Sequence, residues 1–417
     1  MENDTVYPTP ADPERTAAES ARSDAEFDTE FGFDVIGLLV DVVVRALKHE
    51  SRTVGTEDLL SALVMGDSAA GEAIAPGMRN AGALSGMVAG RSGSGWASDD
   101  HGDETPGEPA DEHEIAAAWR IARWQTARRH RKVVTKDGLE WPEPSGALHA
   151  CLLLALRLAR LEAAGEVYTR HVARALLDLP DTRAREAYAL RRLDRTVAYA
   201  ALDALDARDT SAAPGTDRPR TPAVTLLSQA GLLGDRSGWL TRKLMSWPSQ
   251  QLGDGSPVLF AVSVESHRQA VRWGRSTVEP IDLLLAILGL DRALSHAGRS
   301  LPDKVAAPNE AAILLRAHGV RPDASALSAE AAEAALAVDP SPVSDEIPLS
   351  AAAERTLASA RLLAAEHHAS SAGTAHLLAA LLDDATDGEE TPVRQWLRAQ
   401  NVDVAALRAD LSPRLSA

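Results

Sequence analysis

The chain has 417 residues with 45% apolar content, enough for two or three domains with sizeable cores. A formal charge of −17 argues against a general binder of nucleic acid or anionic membrane. The single cysteine, Cys151, excludes an internal disulfide and a multi-thiolate metal site.

Few aromatic residues and an abundance of alanine, leucine and arginine favour helices. Residues 1–30 are polar, carry Pro8, Pro10 and Pro13, and read as a disordered acidic tail. The chain opens with no basic or apolar leader. No run approaches the roughly 20 apolar residues of a membrane span, so a cytoplasmic protein without membrane contact is expected. The first ordered unit opens at Phe31. Val35, Leu38, Leu39, Val42, Val43 and Leu47 share one broad face and predict a helix over 33–48. Thr56 is a plausible N-cap for the next helix, ahead of Leu59, Leu60 and Leu63.

Residues 90–111 read as a linker of glycine, serine, proline and acids. A basic helix follows over 112–132, and Trp141-Pro142-Glu143-Pro144 breaks the chain. The second unit has helices over 146–164, from Tyr168 to Leu177, and over 182–205. Cys151 lies in the apolar run of the first of these and reads as a buried core residue. Residues 206–255 read as a linker and an irregular stretch that holds Trp239 and Trp247. The third unit begins at Ser256-Pro257, with proline in the first turn where a helix tolerates it. Its second helix spans 277–288, a loop covers 291–308, and Gly319 stops a helix begun at Asn309. The fourth unit, 349–411, is the best formed. Leu377, Leu378, Leu381 and Leu382 give one face that must be buried, and Val393, Trp396 and Leu397 give another.

Four segments align: Asp58-Leu59-Leu60, His171-Val172-Ala173, Asp282-Leu283-Leu284 and His376-Leu377-Leu378. The pattern around them resembles the Clp N-terminal repeat, the substrate- and adaptor-receiving module of ClpA- and ClpC-type unfoldases. Ala372-Gly373-Thr374-Ala375-His376-Leu377-Leu378-Ala379-Ala380-Leu381-Leu382 is the closest copy, and Val54-Gly55-Thr56-Glu57-Asp58-Leu59-Leu60 is next. The resemblance implies an all-α fold of four Clp-N-like four-helix repeats, paired into two double-repeat domains at 31–205 and 256–412. No Gly-Lys dipeptide occurs, so the phosphate loop of the unfoldase ATPase modules is missing. A non-enzymatic binding protein of the Clp proteolysis system is expected, an adaptor, regulator or decoy, without catalytic residues, cofactor or metal. Its expected partners are a ClpC-type unfoldase, client proteins or peptides, or a peptide natural product.

In ClpC-type relatives this repeat can hold phosphoarginine. The resemblance assigns the phosphate to a hydroxyl and amides at a helix N-terminus, and the guanidinium to a glutamate. The hydroxyl position falls on Gly32, Ser145, Ser256 and Ser350, and the glutamate position on Glu57, Arg170, Ile281 and Ala375. No unit carries both halves. Thr56, Glu57, Ser145, Ser256, Ser350 and Thr374 are therefore the ligand-binding candidates, with ordinary helix capping as the plainer reading of the serines. The basic helix supplies the partner-binding candidates Arg120, Arg123, Trp124, Arg128, Arg129 and Arg131. It could instead pack within the chain, or serve a helical scaffold in assembly or nucleic-acid contact. His367, His368 and His376 lack a carboxylate or cysteine to complete a metal set. Residues 90–95 lack the G-x-S-x-G spacing of a serine hydrolase.

Overall fold

A computed structural model describes residues 29–91, 95–98, 100, 107–134, 140–211, 220–233, 256–321, 346–383 and 391–416. The described chain is mostly helical, as composition and periodicity predict. No helix in it is long and apolar enough to cross a membrane.

Strand β1 (Glu30–Phe31) leads into helix α1 (Phe33–Lys48). Strand β2 (Thr53–Val54) leads into α2 (Thr56–Met65), followed by α3 (Ala69–Ile74), α4 (Met78–Ala81) and α5 (Ala83–Gly90). The basic segment forms α6 (Pro109–Arg129), which starts inside the expected linker, and a short α7 (Arg131–Val134). Strand β3 (Glu143–Pro144) then precedes α8 (Gly146–Leu161), and β4 (Glu166–Val167) precedes α9 (Thr169–Asp178). The region expected as one long helix divides into α10 (Arg183–Leu190) and α11 (Arg195–Ser211). Within the stretch expected to be irregular, α12 (Pro222–Gln229) is a helix capped by the Thr221 hydroxyl on the Val224 amide at 3.3 Å. Trp239, Trp247 and residues 1–28 lie outside the described residues.

The remainder comprises α13 (Pro257–Arg272), α14 (Pro280–His296), α15 (Asp303–Ala306), a 3-10 turn, α16 (Ala311–Ala317), α17 (Ala351–Glu366), α18 (Thr374–Asp383), α19 (Pro392–Ala399) and α20 (Val404–Leu411). Helix α14 runs to His296, beyond the expected end near 288. Its apolar face simply continues through Leu290 and Leu294, both buried.

One local geometry recurs four times. Helices α1, α8, α13 and α17 each have 16 residues. Each ends in the same left-handed turn, at Glu50, Ala163, Gly274 and His368, with φ of 56°, 52°, 68° and 55°. The next amide reaches back to an alanine carbonyl: Ser51 to Ala46, Ala164 to Ala159, Arg275 to Ala270 and Ala369 to Ala364, at 2.8–3.0 Å. These bonds satisfy carbonyls that the helix end would otherwise strand. Only one of the four turns uses glycine. The other three accept a left-handed conformation that costs roughly 1–2 kcal/mol in an L-residue.

The strands pair crosswise and in parallel, Phe31 with Val167 and Val54 with Pro144. A single bridge, Val278 with Leu349, repeats the second arrangement further along the chain. In it the Ser350 amide donates to the Val278 carbonyl at 2.9 Å, as Ser145 does to Val54 at 2.8 Å.

Buried apolar side chains form two clusters. One draws mainly on residues 31–202, the other on 223–415. Helix α6 lies against both α1 and α13 and joins them. At this seam Glu30 pairs with Arg268 at 3.3 Å, with Arg272 at 3.5 Å and with Arg292, while Arg272 also pairs with Glu114. The His113 ring stacks on Trp273 with centroids 4.4 Å apart.

Candidate functional site

The four aligned Asp and His positions share one physical task. Each is the third residue of a helix, and each side chain accepts a hydrogen bond from the backbone amide just before that helix. Asp58 takes the Gly55 amide at 3.3 Å, His171 that of Tyr168 at 2.9 Å, Asp282 that of Glu279 at 2.9 Å and His376 that of Gly373 at 3.1 Å. An aspartate oxygen and an imidazole Nδ1 can both do this, which is why the sequence alternates between them. Burial raises the Asp58 carboxyl above its ordinary pKa, and raises that of Asp282 to about 6. Burial lowers His376, whose Nε2–H donates to the Leu415 carbonyl at 3.1 Å.

The first amide of each of these helices is also spoken for. Thr56 N–H donates to Asp100 at 2.8 Å, Thr169 N–H to Asp34 at 3.0 Å and Thr374 N–H to Asn309 at 2.9 Å. In α14 the position is Pro280, which has no amide hydrogen. Every one of these N-termini is thus met by an oxygen of the same chain or closed by proline.

Asp100 forms the most elaborate of these contacts. It is buried and left-handed, with φ 59°. Its carboxylate accepts from the Thr56 amide, from Thr56 Oγ1 at 2.7 Å, from Ser145 Oγ at 2.9 Å and from the Arg183 amide at 3.1 Å. Its carbonyl takes the Ala147 amide at 3.1 Å. The N-termini of α2, α8 and α10 therefore converge on one aspartate, an arrangement that suits an anion because each carries unpaired amides and a positive dipole end. The Thr56 hydroxyl in turn receives the Ala184 amide at 3.0 Å.

Beside it, Glu57 is 6% exposed, and its Oε1 receives Arg183 Nη1 at 3.1 Å. Its Oε2 is buried, with no hydrogen-bond partner among the described residues. Burial, then the neighbouring Asp58 charge, pushes Glu57 up to about 7, against the opposing pull of Arg183. A Cβ at Gly55 would lie 2.0 Å from Glu57 Oε2, so a larger residue there would displace the Glu57 carboxylate from this position.

No single unit holds both halves of the expected ligand set, yet two units bring them together. Glu57 and Thr56 come from one, Ser145 from the next, and Asp100 joins them. Nothing local marks Asp100, Arg183, Asp34 or Asn309 in the sequence. Asp100 lies inside the expected linker 90–111. Part of that stretch is held on α10, where Ala97 and Ser98 amides donate to Glu186 at 2.8 and 3.0 Å and Arg91 pairs with Glu186 at 3.2 Å.

The serines all cap helices. Ser145 accepts the Leu148 amide at 3.1 Å, Ser256 that of Leu259 at 3.3 Å and Ser350 that of Ala353 at 3.2 Å. Thr374 is buried, and its hydroxyl has no partner among the described residues. It borders a groove of about 320 Å³ walled by Leu290, Leu294, Leu301 and Ile313.

Most of the basic helix turns inward. Arg120 Nε donates to the Val271 carbonyl at 3.2 Å and its guanidinium also reaches the Arg272 carbonyl, at the C-terminal end of α13 where a cation is favoured. Arg123 is 2% exposed, pairs with Glu143 at 3.5 Å and lies over the Trp141 ring at 5.2 Å. Trp124 is buried. Arg128, Arg129 and Arg131 are exposed. Among the described residues no group of three or more His, Cys, Asp or Glu is placed to hold a metal ion. Burial raises the Cys151 thiol, so it stays protonated and poorly nucleophilic. Comparison with family models, with curated proteins and with solved structures gives no match.

Proposed function

We propose that the protein is a non-enzymatic binding protein of the Clp proteolysis system. It consists of four Clp-N-like repeats paired into two helical domains, and it acts as an adaptor, regulator or decoy. One observation carries the reading: the fourfold recurrence of a 16-residue helix, a left-handed turn and a second helix whose third residue reaches back to its own cap. That recurrence is what descent from one repeat would leave in backbone geometry.

The same reading accounts for the self-occupied site. Where the resemblance implies a phosphate, Asp100 supplies a carboxylate; where it implies a ligand guanidinium, Arg183 lies on Glu57. The first half then takes no phosphoarginine, and ligand capture falls to grooves such as the one beside Thr374. Client peptides, a ClpC-type unfoldase or a peptide natural product are the proposed partners, bound by burial and hydrogen bonding without chemistry. The deciding experiment is affinity purification from the native host with mass spectrometry, followed by client degradation with the purified unfoldase. Recovery of a Clp component or client, together with a changed degradation rate, is the expected result. Recovery of neither, with an unchanged rate, overturns the proposal.

A second reading, a helical scaffold that uses the basic segment for assembly or nucleic-acid contact, draws on exposed cations of that segment, Arg128, Arg129 and Arg131 among them. Salt-sensitive retention on nucleic acid or on a partner, lost on reversing these three charges, is its signature.

A further inference from the structure

A cavity of about 330 Å³ opens where α6, α12 and α13 meet, within the size range of small-molecule sites. Its walls are of two kinds. Trp124, Ala223 and Val264 supply apolar surface, Arg128, Arg129 and Arg268 supply positive charge, and Glu265 supplies one carboxylate, which Arg268 takes up. Arg268 is already neutralised, bonded to Glu265 at 2.6 Å and to Glu30 at 3.3 Å.

Arg128 and Arg129 have no such direct pair among the described residues, although the Arg129 charge acts on the nearby Asp41 carboxylate. Both are exposed, and both rest on rings rather than carboxylates: Arg128 lies 4.8 Å over Trp124 and Arg129 5.9 Å over Phe33. Neither forms an ion pair among the described residues. A guanidinium stacked on a ring keeps its in-plane N–H fork available for a carboxylate, held in orientation by the ring beneath it. Two wall residues also carry buried polar atoms with no partner among the described residues, Trp124 Nε1 and Gln125 Oε1. In a molecule of charge −17, this is a local cationic recess with an apolar wall.

We propose that this cavity is a binding site for a small aromatic carboxylate. The ring lies against Trp124 and Val264, and the carboxylate accepts from Arg128 and Arg129. The cavity is lined wholly by residues outside the Thr56–Asp100 cluster, so the proposal stands apart from the Clp reading.

The test uses 2-naphthoate and its neutral isostere 2-naphthamide, titrated into the full chain by calorimetry. One-to-one binding of the naphthoate, about tenfold or more tighter than the amide, is expected from one or two charge-assisted hydrogen bonds. Arg128→Gln should bring the naphthoate down to the level of the amide. Val264→Trp, which fills the recess from a half-buried position of α13, should abolish both while leaving the circular dichroism spectrum unchanged. Should that variant misfold, Arg129→Gln, on an exposed side chain, decides in its place. Equal affinities for the two probes, no saturable binding, or binding indifferent to Arg128 and Arg129 overturns the proposal.

Discussion

Thr56 and Thr374 stand at the same place in two helices of equal length, yet their surroundings differ. Thr56 gives both its amide and its hydroxyl to a charged carboxylate that also draws Ser145 and Arg183. Thr374 gives its amide alone to a neutral amide oxygen, and its hydroxyl, beside an open groove, has no partner among the described residues. A carboxylate with four donors ties three helices together and shuts its site. Asn309, whose own Nδ2–H is turned to Val305 at 2.7 Å, closes nothing beyond one amide. The same backbone unit can therefore be sealed or left open by one residue supplied from elsewhere in the chain.

The widest test of that comparison asks whether the two cores are equally well packed. Leu60 and Leu378 are equivalent and both essentially inaccessible. Either one changed to alanine should lose about 2–5 kcal/mol in urea unfolding. A markedly smaller loss at Leu378 would mean that the open half tolerates cavities that the sealed half does not.

The next test targets the occupants themselves. Asp100→Ala strands four donors, two of them on helix N-termini, and should destabilise by about 3 kcal/mol or more, as removal of a charged hydrogen-bond partner does. Asn309→Ala strands one amide and should lose about 1 kcal/mol. Equal losses in thermal or urea unfolding would remove the distinction between sealed and open.

Acid titration sharpens it further. Glu57 holds its proton in the folded protein up to about pH 7, whereas an unfolded glutamate releases it near 4.5. Over that window the folded state binds the extra proton. The contribution is therefore present below pH 4.5 and is lost as pH rises through 7, with a slope of up to about 1.4 kcal/mol per pH unit. Glu57→Gln, neutral throughout, should flatten the stability profile between pH 4.5 and 7; an unchanged slope would place the titration elsewhere.

The smallest effect separates two serines. Ser350→Ala removes a cap and should lose about 1 kcal/mol. Ser145→Ala removes the same cap and also a donor to Asp100, so its loss should exceed that of Ser350 by about another 1 kcal/mol. Matching melting temperatures for the two variants would show that the Asp100 contact adds nothing.

Much of this is legible in the sequence alone. The apolar stripe from Val35 to Leu47, the caps at Ser145, Ser256 and Ser350 and the apolar run after Thr374 are local signals of period 3.6 and of N-cap chemistry, and the helices fall where those signals lie. Helix α12 leaves no such signal, because eight residues in a turn-rich stretch carry too little periodicity to stand out. The interior position of Arg123 was equally hidden, since an arginine in a basic run looks solvated until a carboxylate such as Glu143 and a ring such as Trp141 are brought beside it.

By itself the sequence determined the helical character, the caps at Ser145, Ser256 and Ser350 and the alignment of Asp58, His171, Asp282 and His376, because each depends on residues within one or two turns of chain. Only the tertiary structure decided that Thr56 and Ser145 meet on Asp100, that Arg183 reaches Glu57, and that Asn309 meets Thr374 beside an open groove. Those contacts join residues 44, 45, 65 and 126 positions apart. No local preference selects them; the packing of helices against one another does, by bringing three positive N-termini to one point where a carboxylate is the stable occupant.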